Sequence, residues 1–237
     1  MRRFTLGALL LSLIVLGMPA FPVHSETRHT QDQDQDEADS DILPLAAKTV
    51  TVHVYGFKFS INPQGQAVVD PVIFPGDTIH WVWDQGGHNT ASNPNQAESW
   101  STAVLKKGST FDKIFTKVGV FTYVCTPHKS FMTGKVTVLD PSLTLKTLVL
   151  KPVSVKGGIA SVGTVTLMAN AKGSGTVVKL SSNSAKATVP ASITIAAGKK
   201  LKTFKITTKV VTATTTVTIK AQVGTATPIT ATLTLTK

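Results

Sequence analysis

From Lys48 onward, apolar and polar residues alternate along the chain with the period of two that is typical of β-strands. The segment 50–55 shows this most clearly, because three valines there alternate with Thr51, His53 and Tyr55. No stretch of useful length has the apolar spacing of an amphipathic helix. After this first strand, the pattern predicts strands at 67–74, 78–83, 110–115, 120–125 and 135–139.

Turn-forming residues separate these strands, with proline, glycine and asparagine concentrated at 75–77, 86–87 and 93–95. About ninety residues with about seven short strands are typical of a β-sandwich or a small barrel. After Pro141, threonine and valine alternate almost without interruption. This pattern predicts a second antiparallel sandwich, with strands at 145–150, 163–168, 176–181, 192–196, 202–207, 215–221 and 230–235. The fold class is therefore all-β, with domains at 48–140 and 141–237.

The amino-terminal segment has the features of a secretion signal. Two arginines precede the apolar run 4–18, which is short for a membrane span, and small residues up to Ser25 fit a signal-peptidase site. We predict a signal peptide at 1–25, with Ala20 as the second choice of cleavage site and an uncleaved anchor helix as the alternative. No transmembrane segment is expected after cleavage. Residues 26–47 are acidic and of low complexity, which predicts a disordered linker.

Charge is distributed unevenly over the 237 residues, whose formal net charge is +11. Seven of the 13 acidic residues lie in 26–47, whereas 141–237 contains thirteen lysines and no acidic residue. This basic domain is expected to attract an anionic surface or polymer, although lysines that only keep the domain soluble explain the composition equally well. Because the domain lacks arginine and a row of aromatic residues, no specific nucleic-acid recognition is expected.

The residues that carry chemistry lie in two segments of the first domain. Cys125 ends an apolar strand, His128 and Met132 follow closely, and His88 lies upstream in a glycine-rich loop. A thiolate, two imidazoles and a weak axial thioether are the ligands of a blue-copper electron-transfer site. A thiol nucleophile made by Cys125 and His128 is an alternative, but no orienting Asp or Asn is evident beside them. The single cysteine excludes a disulfide framework and a cysteine-rich zinc site.

Residues 48–140 resemble a cupredoxin of the plastocyanin and amicyanin group, the blue-copper proteins. The segment YVCTPHKSFMTGKVTV is similar to the copper loop of that family, and GDTIHWVWDQGGHNTAS is similar to its upstream histidine region. The resemblance implies a Greek-key β-sandwich in which Asn89 ties the two ligand loops together by hydrogen bonding. It also implies one type 1 copper ion, with the ligands His88, Cys125, His128 and Met132.

The spacing between the loop histidine and the methionine differs from that in plastocyanins and amicyanin. Plastocyanins place four residues between the loop histidine and the methionine and amicyanin places two, whereas this chain places three, 129–131. We expect Met132 to be the axial ligand, with its bond length and the colour of the site left open. By the same resemblance, His128 presents its ring edge at an apolar end of the sandwich, flanked by Lys129 and Phe131.

Two further histidines and two tryptophans of the first domain are expected to be structural, whereas the role of Trp100 is left open. His53 and His80 lie within strands and lack a partner motif, and Trp81 and Trp83 share one face of a strand, which places them in the core. The chain has no His-x-His pair and too few remaining histidines for a second copper site. These features argue against a multicopper oxidase and a nitrite reductase, and we predict that the protein is not an enzyme.

Residues 141–237 resemble the bacterial immunoglobulin-like domains of secreted and surface proteins, mainly in the segment SSNSAKATVPASITIAAGKKLKTFKITTK. The whole sequence therefore predicts a secreted bacterial protein, periplasmic or at the cell surface, that carries single electrons between transiently bound redox-partner proteins. Two alternatives stay open. One is a secreted protein that sequesters or delivers copper, and the other is a surface adhesion protein with a vestigial cupredoxin domain.

Overall fold

The computed structural model describes residues 46–237, which fall within one compact unit. The strands between residues 49 and 138 and those between 145 and 236 form separate pairs of sheets, which we call the first sandwich and the second sandwich. This arrangement confirms the all-β fold class. The predicted signal peptide at 1–25 and nearly all of the predicted linker at 26–47 lie outside the described residues. Within the described range, no helix is both long and apolar enough to cross a membrane.

The first sandwich consists of two four-stranded sheets. One has the strand order β2-β1-β4-β6 and the other the order β3-β8-β7-β5. β1 and β4 run parallel, whereas β7 and β8 are antiparallel. The strands are β1 (Thr49–Tyr55), β2 (Lys58–Ser60), β3 (Val72–Ile73), β4 (Thr78–Trp83), β5 (Ala91–Ser92), β6 (Thr110–Ile114), β7 (Gly119–Val124) and β8 (Thr133–Val138).

An aromatic core fills the space between these two sheets. Trp81 and Trp83 are fully buried on the inner face of β4, as the alternation predicts, and Tyr123 on β7 lies 5.7 Å from Trp81 between ring centroids. Gly134 is the cross-strand partner of Tyr123, and a Cβ at that position would lie 2.6 Å from the tyrosine ring. A glycine at 134 therefore leaves the room that the tyrosine occupies.

The strand predicted at 67–74 is mostly wrong. Only Val72–Ile73 pair there, with β8, while residues 64–69 are exposed. Pro71 immediately precedes β3 and has no N–H to donate to a sheet, which limits the length of the strand. The short strands β2 and β5 are absent from the sequence prediction because two or three residues cannot show a periodicity.

The second sandwich pairs a five-stranded sheet, β10-β17-β16-β12-β14, with a four-stranded sheet, β13-β15-β11-β9. Its core consists of valine, leucine, isoleucine and alanine with a single phenylalanine, Phe204. Its likeness to immunoglobulin-like domains stays a prediction. The strands are β9 (Leu145–Lys151), β10 (Ser154–Lys156), β11 (Ser161–Leu167), β12 (Thr176–Ser182), β13 (Ala187–Thr188), β14 (Ser192–Ile195), β15 (Leu201–Thr208), β16 (Thr215–Val223) and β17 (Ile229–Thr236).

A short 3-10 turn, Pro141–Leu143, connects the two sandwiches, and the domain boundary inferred from the sequence falls at its start. The Asp140 carboxylate accepts hydrogen bonds from the backbone N–H (2.9 Å) and the hydroxyl (2.7 Å) of Ser142. Thr176 in turn donates to the carbonyl of Ser142 at 2.9 Å. These bonds attach the connecting turn to the second sandwich.

Candidate metal centre

Two loops meet at one end of the first sandwich and bring the candidate ligands together. His88 lies in the loop after β4, whereas Cys125 directly follows β7 and Met132 directly precedes β8. His128 ends the short 3-10 turn Thr126–His128 between them. Because β4 belongs to one sheet and β7 and β8 to the other, the site closes the end of the sandwich across both layers.

Three of the four predicted ligands converge on one point. The Nδ1 atoms of His88 and His128 are 3.3 Å apart, and the Cys125 Sγ lies 3.7 Å from the first and 3.4 Å from the second. Among the described residues, this trio is the one group of histidine, cysteine and acidic side chains whose donor atoms all lie within 4.8 Å of one another. Each of the three residues offers one ligand atom to the same small volume, as a metal site requires.

A tight turn after His128 brings the backbone of Met132 beside that of Cys125. The backbone N–H of Met132 donates to the carbonyl of His128 at 2.9 Å, and the N–H of Cys125 donates to the carbonyl of Met132 at 3.0 Å. The Met132 side chain is fully buried in the same core cluster as Cys125. Three residues between histidine and methionine are therefore enough to return the methionine to the interior.

The His88 backbone is fixed by a contact that the sequence pattern did not reveal. Its carbonyl accepts a hydrogen bond from the indole Nε1 of Trp83 at 2.8 Å and another from the backbone N–H of Leu105 at 2.8 Å. Trp83 is thus both a core residue and a support for the ligand loop. Burial, followed by the neighbouring His128, lowers the pKa of His88. Both effects favour the neutral imidazole, which is the form that binds metals.

Asn89 ties the two ligand loops together, as the family resemblance implied. Its side-chain oxygen accepts hydrogen bonds from the backbone N–H of Thr126 at 2.7 Å and from the Thr126 hydroxyl at 3.2 Å. Its side-chain amide donates to the carbonyl of Thr102 at 3.2 Å. The backbone N–H of Asn89 also points at the Cys125 sulfur, 3.5 Å away. A donor to the sulfur is one of the contacts by which a protein tunes the potential of a copper–thiolate site.

Two phenylalanines surround the partly exposed ring of His128. Phe57, in the turn between β1 and β2, lies 4.9 Å from the His128 ring and 5.9 Å from the His88 ring between centroids. Phe131 lies 5.0 Å from Phe57 and 5.7 Å from His128. Both phenylalanines are more than half exposed, at 51% and 59%. The sequence analysis anticipated Phe131 but missed Phe57, whose one signal is an aromatic residue placed directly after the turn glycine Gly56.

Four exposed lysines lie on the loops and at the start of β2 at this end of the sandwich. Lys58 and Lys129 are neighbours of Phe57 and His128 in the chain, and Lys106 and Lys107 pack against Gly86, two residues before His88. None of the four forms an ion pair within the described part of the chain. The end that bears the site is therefore apolar at its centre and positively charged at its margin.

The two remaining histidines of the first sandwich stand apart from this cluster. His53 pairs with Asp84 at 2.8 Å, and His80 pairs with Asp112, both on the outer face of the sheet formed by β1, β4 and β6. Each therefore has a carboxylate partner outside the metal-site trio. This pairing agrees with the structural role expected for them.

The donor set fits copper. One sulfur and two imidazole nitrogens meet in a buried place, and a thioether lies buried in the same core. This combination of soft sulfur and imidazole suits both Cu(I) and Cu(II), whereas the oxygen-rich sites that bind Mg²⁺ and Ca²⁺ have a different chemistry.

Comparisons with known proteins point to the same metal. Residues 69–139 match the family of copper-binding proteins that includes plastocyanin and azurin. Halocyanin from Natronomonas pharaonis is 43% identical over 58 residues, which make up 23% of this chain and 36% of halocyanin. The matched region therefore spans about a third of the length of that relative.

Some solved structures are similar to part of the chain. An oxidised amicyanin variant is 26% identical with a TM-score of 0.32, covering 38% of this chain and 81% of amicyanin. A copper-containing nitrite reductase from Thermus scotoductus SA-01 is 25% identical with a TM-score of 0.32, covering 39% of this chain and 23% of the reductase.

Proposed function

We propose that this protein is a secreted carrier of single electrons with one type 1 copper ion, because residues 69–139 match the family of copper-binding proteins that includes plastocyanin and azurin. The observation that carries the proposal is the convergence of His88, Cys125 and His128 on one point at the closed end of a rigid sandwich. When bound, copper supplies a one-electron couple between Cu(I) and Cu(II).

The protein's part in this function is to hold the donors and to limit access to them. Cys125 and Met132 are fully buried and His88 nearly so, which keeps water away from the donor atoms. Hydrogen bonds from the Thr126 N–H to Asn89 and from Trp83 to the His88 carbonyl fix the two ligand loops, so the donors keep their positions when the charge at the site changes. Because the donor atoms move little when the copper gains or loses an electron, the barrier to electron transfer is low.

We propose that His128 is the point of exchange with redox partners. It is the one member of the trio with substantial exposure, and Phe57 and Phe131 surround it with an apolar surface. The lysines around this surface favour a partner with an acidic margin. A small contact of this kind gives the weak, transient binding that repeated exchange needs.

Secretion and the absence of enzymatic activity belong to this proposal. Secretion is supported by the signal-like segment 1–25. A role without catalysis is supported by the narrow access to the donors, because His128 alone of the trio reaches the surface to a substantial degree and leaves little space for a substrate.

Redox cycling in the presence of a copper chelator tests the function. The copper-loaded protein is reduced with ascorbate and oxidised with hexacyanoferrate(III) through repeated cycles, with a Cu(I) chelator present throughout. An electron carrier keeps its copper and returns to the same spectrum after each cycle. Loss of copper to the chelator faster than the redox cycle would contradict the proposal and favour a protein that sequesters or delivers copper.

We assign Met132 as the axial ligand, and this assignment has its own test. Met132→Leu keeps the apolar volume but removes the thioether, so it should shift the reduction potential while the protein still binds copper through the other three residues. Voltammetry of both proteins measures the shift. An unchanged potential would show that Met132 only fills the core.

A further inference from the structure

One end of the second sandwich presents three exposed apolar side chains. β9, β15 and β17 end there, and β11 and β16 begin there. Ile159 and Val210 lie in the loops at this end and are 58% and 74% exposed. Val153, which is 62% exposed, lies on the sheet edge just before β10, where its carbonyl accepts from the N–H of Thr234 at 2.9 Å. We call these three residues the apolar tip.

Backbone packing holds the loops of the apolar tip together. A Cβ on Gly157 would lie 2.8 Å from both the carbonyl oxygen of Lys209 and the N–H nitrogen of Val211, so the two loops touch main chain to main chain. The hydroxyl of Thr208 donates to the carbonyl of Ile159 at 2.7 Å and accepts from the N–H of Gly158 at 3.0 Å. The apolar side chains are therefore displayed outward from a fixed base.

Lysines surround the apolar tip, and acidic residues are absent from this part of the chain. Lys209 precedes Val210 and bonds through its N–H to the carbonyl of Lys186 at 2.8 Å, and Ile159 bonds in the same way to Lys156 at 2.9 Å. From residue 141 to the last residue of the sequence there is no Asp or Glu. Five exposed lysines lie on the strand ends and loops at this end: Lys151, Lys156, Lys186, Lys209 and Lys237.

We propose that the apolar tip and its lysines dock this protein on the surface of an anionic lipid bilayer. The three apolar side chains enter the boundary between head groups and acyl chains, and the lysines contact the anionic head groups. A soluble polyanion would use the lysines but would leave Val153, Ile159 and Val210 in water. The combination of an apolar centre and a positive margin therefore favours lipid.

The path of the chain fits this orientation. β8 leaves the metal centre at Thr133 and ends at Val138, at the opposite end of the first sandwich. The chain then enters the second sandwich at Leu145, at the end far from the apolar tip, because Leu145 pairs with Leu167 while Lys151 pairs with Val162. The connection between the sandwiches thus joins the end of the first sandwich opposite the metal centre to the end of the second sandwich opposite the apolar tip. The inference is independent of the electron-carrier function.

Sedimentation with lipid vesicles tests the proposal, using copper-loaded residues 26–237. This range omits the apolar segment 4–18, which would bind lipid by itself, and keeps every described strand. Vesicles of phosphatidylcholine are compared with vesicles that also contain about 30 mol% phosphatidylglycerol, at about 0.1 M salt. Binding is expected to the anionic vesicles and not to the neutral ones. Failure to bind the anionic vesicles would overturn the proposal.

Two matched pairs of variants separate docking by the tip from diffuse attraction. Ile159→Glu with Val210→Glu should weaken binding at least about tenfold, because charges then replace the inserted side chains. Val149→Glu with Val177→Glu makes the same charge change at exposed strand positions and should weaken binding by less than about threefold. Equal losses in the two pairs would show diffuse attraction only and would overturn the proposal, and so would an unaffected tip pair.

The lysines provide a second comparison that does not depend on the folding of the glutamate variants. Lys156→Gln with Lys209→Gln should weaken binding more than Lys179→Gln with Lys220→Gln, which lie on the outer face of the five-stranded sheet. Circular dichroism confirms that each variant is folded. Equal effects of the two lysine pairs, or stronger binding to soluble polyphosphate than to anionic vesicles, would contradict a lipid-docking tip.

Discussion

At the scale of single residues, the positions of the candidate ligands depend on neighbouring side chains that form hydrogen bonds to the backbone of the ligand loops. The sequence predicted four candidate ligands because their types and order are specific, and the family resemblance added Asn89. It did not identify Trp83 as a hydrogen-bond donor to the His88 carbonyl, because a tryptophan on an alternating strand predicts only burial. Nor did it identify Phe57, because the contact between its turn and the copper loop forms only in the folded protein.

Removing the Asn89 side chain tests the tie between the ligand loops. Asn89→Ala removes the buried side-chain oxygen that accepts from the N–H of Thr126 at 2.7 Å, and we expect the metal-free first sandwich to lose about 1–3 kcal/mol of stability. Urea unfolding followed by tryptophan fluorescence measures this, because all three tryptophans lie in the first sandwich. Asn93→Ala is the control, since Asn93 donates to Thr122 at an exposed site. Equal stability losses in the two variants would contradict a special role for Asn89.

At the scale of elements, alternation predicted the long strands well and the short ones poorly. β4, β6 and β7 form within a residue or so of their predicted positions, and the inner faces of β4 and β7 are apolar and buried. β3 is much shorter than predicted, and the region between β5 and β6 has no periodicity to read. That region is held instead by individual polar contacts, which a sequence pattern does not encode.

Glu98 is the main anchor of the region between β5 and β6. Its buried carboxylate accepts from the backbone N–H groups of Thr116 (2.7 Å) and Lys117 (2.9 Å), and it pairs with Lys113 at 3.0 Å. Burial alone would raise the pKa of Glu98, but these hydrogen bonds outweigh it and lower the pKa to about 2. The charged carboxylate thus joins the loop to the turn between β6 and β7.

The pH dependence of stability tests this anchor. Because the pKa of Glu98 is lower in the folded protein than its ordinary 4.5, its stabilising effect is complete above pH 4.5 and is lost as the pH falls towards 2. Glu98→Gln should therefore destabilise the metal-free protein by roughly 2 kcal/mol at neutral pH, with a difference that shrinks below pH 4.5. Urea unfolding at several pH values measures this. A difference that does not change with pH would refute the electrostatic explanation.

At the scale of the whole molecule, positive charge is concentrated at the metal-site end of the first sandwich and throughout the second. The sequence predicted the excess charge of the second domain from composition alone. It did not show that Lys58, Lys106 and Lys107 join Lys129 near His128, because these lysines come from segments that are far apart in the sequence. Only the fold places them around one apolar surface.

Charge reversal at Lys129 tests the positive margin of the exchange surface. Lys129→Glu should slow oxidation of the copper-loaded, reduced protein by the anion hexacyanoferrate(III) about two- to fivefold at low salt, with the effect fading at high salt. Stopped-flow absorption measures the rate. Lys117→Glu makes the same charge change at the opposite end of the sandwich, between β6 and β7, and should have a smaller effect. Equal slowing by both variants would contradict exchange at His128.

The most direct test of the central claim is the spectrum of the copper-loaded protein. Cu(II) is added to metal-free residues 26–237, and the visible absorption and electron paramagnetic resonance spectra are recorded for the native chain and for Cys125→Ser. We predict an intense thiolate-to-copper band with narrow hyperfine splitting in the native protein, both lost in the variant, because Cys125 supplies the one thiolate of the chain. A weak, ordinary Cu(II) spectrum in the native protein, or an intense band that survives in Cys125→Ser, would contradict the account.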